Sequence, residues 1–276
     1  MANRAQTELP KVSQPQNNQY KKVLPFLILL IVTLTMITVT FLNPYYMKGQ
    51  IRSDNNQAVV VRQVNQHFDA LAEAIGADED GNSANLLTNK QTQPIADHII
   101  DYTLGLHWFK FNNLTLAKQI LHDIELNIGQ GASSDAQLVQ AKLKKLANNA
   151  PYEVIDTFSL NTITLGANIA VMVLLINIVL LVAAIASLYS LISEMRERFS
   201  AKELWHRITA AGMWGGFWLM LTAGVLALIP VVCNVADLAV FGYLIEISSS
   251  VFLNFVIVGV IIYVLSAIPW EITSNN

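Results

Sequence analysis

Residues 161–192 read NTITLGANIAVMVLLINIVLLVAAIASLYSLI and contain neither a charged residue nor a proline. An α-helix rises about 1.5 Å per residue and the hydrocarbon core of a bilayer is about 30 Å thick, so ~20 apolar residues span it. This stretch is longer than that, and it predicts a membrane-spanning helix. Its first turns, which carry Thr162, Thr164 and Asn168, are expected to extend beyond the bilayer. We interpret the stretch as a membrane anchor and a rigid rod.

Three further apolar runs, at 23–42, 208–230 and 248–268, predict three more spanning helices. The whole chain is 53% hydrophobic and only 13% charged, whereas soluble domains carry about 25% charged residues. The net charge of −3 indicates no nucleic acid partner. A single cysteine, Cys233, excludes an intrachain disulfide framework. The composition therefore indicates a multi-pass membrane protein with one substantial polar insert.

The first apolar run is preceded by a polar segment, 1–22, that lacks apolar periodicity and predicts a flexible cytoplasmic tail. A cleavable signal peptide is the alternative, but its apolar core would be only about 7–15 residues long. The run at 23–42 is longer and continues into the helix-breaking sequence Asn43-Pro44. We therefore predict an uncleaved signal anchor.

The distribution of lysine and arginine predicts the orientation. Lys21 and Lys22 precede the first run, and the segment 193–207 carries four cationic residues, whereas 231–247 carries none. Short cytoplasmic loops are enriched in lysine and arginine. Both termini are therefore predicted to lie in the cytoplasm of a cell whose plasma membrane holds the chain.

The polar insert, 43–160, is predicted to be helical. Apolar residues recur at helical spacing from Ile51 to Ile75, where Gly76 would end the first helix. A second helix is predicted from Pro94, a third from Asn113 or Leu114 to Gly129, and a fourth after a Ser133 or Ser134 cap. Alternation typical of strands is scarce.

The predicted fold class is an all-α integral membrane protein, with four transmembrane helices and a small helical extracytoplasmic domain between the first and second. The predicted segments are a cytoplasmic tail 1–22, helix 23–42, extracytoplasmic domain 43–160, helix 161–192 with its outer extension, cytoplasmic loop 193–207, helix 208–230, outer loop 231–247, helix 248–268 and cytoplasmic tail 269–276.

The chemistry-bearing residues of the insert indicate no metal, cofactor or catalytic site. Its four histidines are not spaced four apart on one helix, as zinc-binding pairs would be. Asp78, Asp80 and Asn82 imitate the start of a calcium loop. That loop needs glycine at its sixth position and glutamate at its twelfth, where this chain has Ser83 and Asn89. An acidic surface loop is the preferred interpretation.

Five residues are candidates for interaction or packing. Gly212 and Gly216 form a G-x-x-x-G step, which allows two helices to approach closely. We favour packing within the chain, with a homo-oligomer as the alternative. Glu246 is predicted at the outer membrane edge, and Arg196 and Arg198 lie in the predicted cytoplasmic loop.

The predicted function is non-enzymatic: the outer helical domain senses or binds a partner and couples that event to the membrane bundle. A protein partner is expected in the membrane or at the cytoplasmic loop. The order of one helix, a large outer domain and three helices is similar in outline to the FtsX-type permease-like proteins of cell division. That resemblance implies the alternative, a permease-like subunit of a transport or export complex with a separate ATPase. A membrane enzyme using Glu246, Asp237 or the outer histidines is a weaker hypothesis, since no acid–base pair is recognisable.

Overall fold

A computed structural model describes residues 14–77, 86–128, 133–232 and 239–274 of the chain, and these residues form helices and their connections, with no strand. The α-helices of the described ranges are α1 (Gln14–Val39), α2 (Pro44–Ile51), α3 (Asp54–Ala74), α4 (Asn89–Leu104), α5 (Leu114–Asn127), α6 (Ser134–Leu146), α7 (Ala150–Thr157), α8 (Leu160–Arg198), α9 (Ala201–Val232) and α10 (Ala239–Ser274). A 3₁₀ helix, Ala147–Asn149, joins α6 to α7.

Within the described ranges, four helices are long and apolar enough to cross a membrane. Their apolar parts are Gln19–Val39, Leu160–Arg198, Ala201–Ile229 and Ile247–Ser274. Many of their large apolar side chains are exposed, as expected for helices that face lipid rather than water. The prediction of an all-helical chain with four such helices is confirmed.

The chain divides into two compact units. The bundle unit comprises Met1–Ile37, Ile176–Ile229 and Phe252–Asn276, and the insert unit comprises Thr38–Leu175 and Pro230–Val251.

The bundle unit contains a buried hydrophobic cluster near the ends of its helices. The cluster joins α1 to the C-terminal end of α8 and the first turns of α9, and its buried members are Tyr20, Leu24, Met195, Phe199 and Ala211. Deeper in the unit, Asn177 donates a buried 2.9 Å hydrogen bond to the carbonyl of Leu34. Asn177 therefore makes a polar contact between two apolar helices, α8 and α1.

The insert unit is built around four helices in a ring, in which α3 contacts α4 and α7, and α5 contacts the same two helices. The helix α2 packs on α3 and α4, and α6 packs on α3 and α7. The largest fully buried side chains of its core include Phe68, Leu71, Ile120, Phe158 and Leu160. Because Leu160 opens α8, the long helix begins inside this core.

Capping residues in the sequence correctly predicted where some helices of the insert begin or end. The hydroxyl of Ser133 accepts a 3.2 Å hydrogen bond from the amide of Ala136, as a helix cap should. Gly76 has a φ of 66°, a left-handed conformation that ends α3 at low cost. The boundary prediction for the second helix was wrong, since α4 begins at Asn89, five residues before Pro94. Gln91 stabilises that earlier start by accepting a 2.8 Å hydrogen bond from the amide of Thr88.

Helices also extend beyond the predicted membrane segments. Residues 14–22, predicted as tail, are helical in α1, where the buried Tyr20 gives this turn a tertiary contact. The predicted loop 193–207 is reduced to Phe199 and Ser200 between α8 and α9. The helix α10 begins at Ala239 and continues to Ser274, so parts of 231–247 and 269–276 are helical too. An apolar run indicates where lipid can lie, and a helix can continue past it.

Candidate functional site

A cavity of about 770 Å³ opens at one end of the bundle unit. It lies between the first turns of α1 and α9 and the last turns of α8 and α10. Three cationic side chains line it, Lys21, Lys202 and Arg207, against one anionic side chain, Glu203. The remaining lining residues are Tyr20, Leu24, Pro25, Met195, His206, Ala210, Ala211, Trp214, Thr273 and Ser274. The cavity is therefore amphipathic and cationic.

The connection between α8 and α9 positions one of these cations. The guanidinium carbon of Arg207 lies 4.0 Å from the ring centroid of Phe199, and Tyr20 meets the same ring edge-on at 5.9 Å. The Tyr20 hydroxyl donates a 2.7 Å hydrogen bond to Glu194. A cation over an aromatic face is stabilised by about 0.5–2 kcal/mol. Phe199 therefore orients Arg207 at the cavity wall.

Another lining residue, His206, joins α9 to α10. Its Nδ1 lies 3.0 Å from the Thr273 hydroxyl, and its ring stacks on Trp270 at 5.5 Å between centroids. The Thr273 hydroxyl donates to backbone carbonyls of its own helix, including that of Pro269 at 2.9 Å. The proton between His206 and Thr273 is therefore assigned to Nδ1, which leaves Nε2 of a neutral imidazole as an acceptor.

The cavity can accept an anionic group. Lys21 and Lys202 make no ion pair with any residue in the described part of the chain, so no carboxylate there holds either ammonium in direct contact. Lysine is a compact, strongly hydrated point charge with three donors, which suits a carboxylate or phosphate at a wet site.

The predicted arginines lie near this cavity but do not line it. Arg198 forms an ion pair with Glu194 one turn earlier, at 3.0 Å, and Arg196 is exposed. Sequence reasoning missed Lys202 and Arg207 as site residues. The sequence did carry a signal for where these two residues lie. Ser200 caps α9 through a 3.3 Å hydrogen bond from the amide of Glu203, which places Lys202 in the first turn of that helix and Arg207 in the second.

The two predicted glycines of α9 face α10. A Cβ atom added to Gly216 would lie 2.7 Å from the carbonyl oxygen of Gly259 and 2.9 Å from the amide nitrogen of Tyr263. A Cβ atom added to Gly212 would collide with the side chain of Ser266. The structure therefore places both glycines at a close helix–helix approach inside the bundle unit. Glu246 lies in α10, and its side chain is outside the described residues.

Ion pairs join the helices of the insert unit. On α4, Asp97 pairs with Arg52, Asp101 lies 2.7 Å from Lys48, and His98 lies 3.3 Å from Asp123 of α5. Burial raises the pKa of the Asp123 carboxyl and Asp97 adds to that rise, while His98 and His122 act in the opposite direction. The net direction is upward, so Asp123 takes up a proton more readily in the folded unit than in the unfolded chain.

Asp123→Asn is expected to raise the melting temperature of the full-length protein in detergent by a few °C at pH 7.5. A carboxyl whose pKa is raised by folding contributes stability below its unfolded pKa, and that contribution is lost as pH rises through the folded pKa. The neutral amide avoids this loss, so the advantage should shrink as the pH falls to 4 and below, because an ordinary aspartate, with a pKa of about 3.9, takes up its proton there. Thermal unfolding at both pH values measures it.

The control for this prediction is Asp101→Asn, which removes an exposed carboxylate of α4 that pairs with Lys48 of α2. It should give no increase at pH 7.5. If Asp123→Asn instead lowers the melting temperature most at pH 7.5, the attraction to His98 outweighs the cost of burial.

The insert histidines make local contacts. His67 stacks on Phe158 at 5.5 Å, and its Nδ1 lies 2.9 Å from the carbonyl of Thr157. The ring nitrogens of His107 lie 2.7 Å from the carbonyl of Trp108 and 3.3 Å from that of Thr103. No three histidine, cysteine, aspartate or glutamate side chains are grouped to hold a metal ion within the described ranges. The calcium-like segment from Asp78 to Asn82 lies outside those ranges.

Comparison with known proteins yields no relative: no family model, no curated protein and no solved structure matches this chain.

Proposed function

We propose that this chain is a non-enzymatic multi-pass membrane protein whose extracytoplasmic domain, 43–160, binds a partner and couples that binding to the cytoplasmic end of the bundle. The four apolar helices support membrane insertion. The cationic residues of 193–207 and their absence from 231–247 support an orientation with both termini in the cytoplasm.

The observation that carries the proposal is the continuity of α8. The helix runs for 39 residues, so it is about 58 Å long, roughly twice the thickness of a bilayer core. Near its start, Leu160 and Ala167 are buried in the insert unit. Near its end, Met195 is buried in the cluster of the bundle unit. A helix fixed in a packed core at each end transmits a shift of one end to the other.

The cationic cavity is the proposed cytoplasmic docking site. Lys21 and Lys202 would attract an acidic segment of a partner, and the apolar residues of the cavity would bind its flanking side chains. The same site favours the alternative, a permease-like subunit that works with a separate cytoplasmic ATPase. In both cases the partner supplies the output, and this chain supplies the coupling.

The double variant Lys21→Glu/Lys202→Glu is expected to reduce recovery of the cytoplasmic partner after crosslinking in cells and gentle solubilisation. An exposed ion pair contributes about 0.2–1 kcal/mol, so the loss of two attractions alone should cost roughly 2- to 30-fold in affinity, and the repulsions that replace them add to that loss. Quantitative mass spectrometry of the crosslinked material measures the loss and identifies the partner. Recovery of an ATPase would favour the alternative over the sensor.

The control is Lys144→Glu/Lys145→Glu, which reverses two exposed charges at the end of α6. It should leave recovery unchanged. Orientation is checked in a Cys233→Ser background with a cysteine at Leu138 or at Glu197. An impermeant maleimide should label intact cells at 138 and not at 197; the reverse pattern would overturn the proposed direction of coupling.

A further inference from the structure

The connection between α4 and α5, residues 105–113, presents an unusual surface. Leu106 is 99% exposed, Trp108 84%, Phe109 43% and Phe111 94%. Single exposed apolar residues are common on soluble proteins, but contiguous apolar surface marks an interaction site. Here four large apolar side chains fall within six consecutive positions. We call residues 106–111 the aromatic loop.

The aromatic loop is held in place by α8. The side chain of Asn168 accepts a 2.7 Å hydrogen bond from the amide of Lys110 and donates a 2.8 Å hydrogen bond to its carbonyl. The Tyr102 hydroxyl donates to the carbonyl of Asn112 at 3.0 Å. Backbone contacts therefore fix the loop, while its apolar side chains remain exposed.

The lysine of the aromatic loop, Lys110, directs its charge back toward α4. The ammonium of Lys110 is folded back, 2.6 Å from the carbonyl of Tyr102 and 3.5 Å from the centroid of its ring. Desolvation of this ammonium lowers the pKa of Lys110. The most exposed side chains of the loop, Leu106, Trp108 and Phe111, are apolar, which suits an apolar medium.

The position of Asn168 along α8 indicates what that medium is. Beyond Asn168 the helix carries exposed apolar side chains, including Ile169, Met172 and Val173, with no charged residue before Glu194. If α8 crosses a bilayer, Asn168 lies near the start of the exposed apolar surface that can face lipid, which begins at Leu165. Tryptophan and other amphipathic rings concentrate at the interface between headgroups and acyl chains. The contact with Asn168 therefore holds the aromatic loop at interface depth.

We propose that residues 106–111 insert into the interfacial region of the adjacent phospholipid leaflet and seat the insert unit on the membrane surface. The occupant of this surface is lipid. The inference requires α8 to cross the membrane, as the proposed function does, but not a particular orientation. This membrane contact adds to the chain connections between the insert unit and the bundle unit.

The test uses the full-length protein with Cys233→Ser and a single new cysteine at Phe111, labelled with an environment-sensitive NBD probe. The protein is reconstituted in phosphatidylcholine vesicles that contain a phospholipid with a doxyl group near the top of the acyl chain. The probe at 111 should lose more than half of its fluorescence and resist quenching by aqueous iodide. Leu106→Cys provides a second, equally exposed site.

The matched control is Leu126→Cys, near the opposite end of α5 and 65% exposed. Its probe should be quenched by iodide and little affected by the doxyl lipid. Adding Asn168→Ala should weaken doxyl quenching at 111 while the protein stays monodisperse, because the loop then loses its tie to α8.

Iodide quenching without doxyl quenching at both 106 and 111 would overturn the proposal. A crosslink from 111 to a cellular protein, together with absent doxyl quenching, would make the loop a protein-docking surface instead. A reversed orientation would leave these vesicle results unchanged and would be found by maleimide labelling, so failure of the two proposals is distinguishable.

Discussion

Gly216→Leu is expected to prevent stable packing of α9 on α10 and to remove most of the monodisperse protein in detergent. The atoms that face Gly216 are the carbonyl oxygen of Gly259, 2.7 Å from an added Cβ, and the amide nitrogen of Tyr263 at 2.9 Å. Backbone atoms cannot rotate away as a flexible side chain can. Overpacking a well-fitted site commonly costs 1–3 kcal/mol, and a leucine against backbone should cost at least about that much. Size-exclusion profiles and thermal unfolding measure the loss.

Gly224 provides the control, because it lies in the same helix and an added Cβ would meet nothing within 4 Å. Gly224→Leu should therefore be close to the parent in yield and melting temperature. The comparison also decides between packing within the chain and a seam between copies. If Gly216→Leu stays fully folded but changes from an oligomer to a monomer, the seam interpretation is correct and the packing assignment is wrong.

The four apolar helices were predictable because their signal is local. A long run without charge, such as 161–192, is sufficient to indicate a helix that can cross a bilayer. The partner of Gly216 was not predictable in this way. Gly259 is a single glycine in an apolar run, and its close approach to α9 exists only once the two helices are side by side.

Two short helices, α2 and α7, were not predicted from the sequence, and each has a proline in its first turn. Pro44 suggested a break, but it lies in the first turn of α2, and Pro151 likewise lies in the first turn of α7. At that position the amide hydrogen that proline lacks would have no partner inside the helix, so proline starts a helix as readily as it ends one. Without tertiary contacts, a sequence cannot show which of these two roles a proline has.

The cavity was only partly accessible to sequence reasoning. The clustering of positive charge in 193–207 was visible, and it led to Arg196 and Arg198. Which cations line a cavity depends on the rotation of each helix, and α9 turns Lys202 and Arg207 toward it. The aromatic loop had a visible composition, but its exposure depends on the contact between Lys110 and Asn168, which are far apart in sequence.

Asn65→Leu is expected to lower the melting temperature of the insert unit by roughly 5–25 °C. Asn65 is buried on α3, and its side chain accepts a 2.7 Å hydrogen bond from the amide of Leu87 and donates a 2.9 Å hydrogen bond to the Leu87 carbonyl. Leucine is similar in size but cannot replace either bond. Each polar group left unpaired in the core costs about 1–3 kcal/mol, so the pair costs roughly 2–6 kcal/mol, against a typical domain stability of 5–15 kcal/mol.

Thermal unfolding of the full-length protein measures this loss, and hydrogen exchange shows whether it is located in the insert. The control is Asn148→Leu, at an exposed position. Asn65→Asp separates the hydrogen-bond argument from a simple loss of packing. An ionised carboxylate can accept from the Leu87 amide but cannot donate to its carbonyl, and its burial is costly. A protonated carboxyl can do both, so Asn65→Asp should recover stability as the pH is lowered, whereas Asn65→Leu should not. Equal behaviour of the two variants at all pH values would show that the paired backbone groups of Leu87 contribute little.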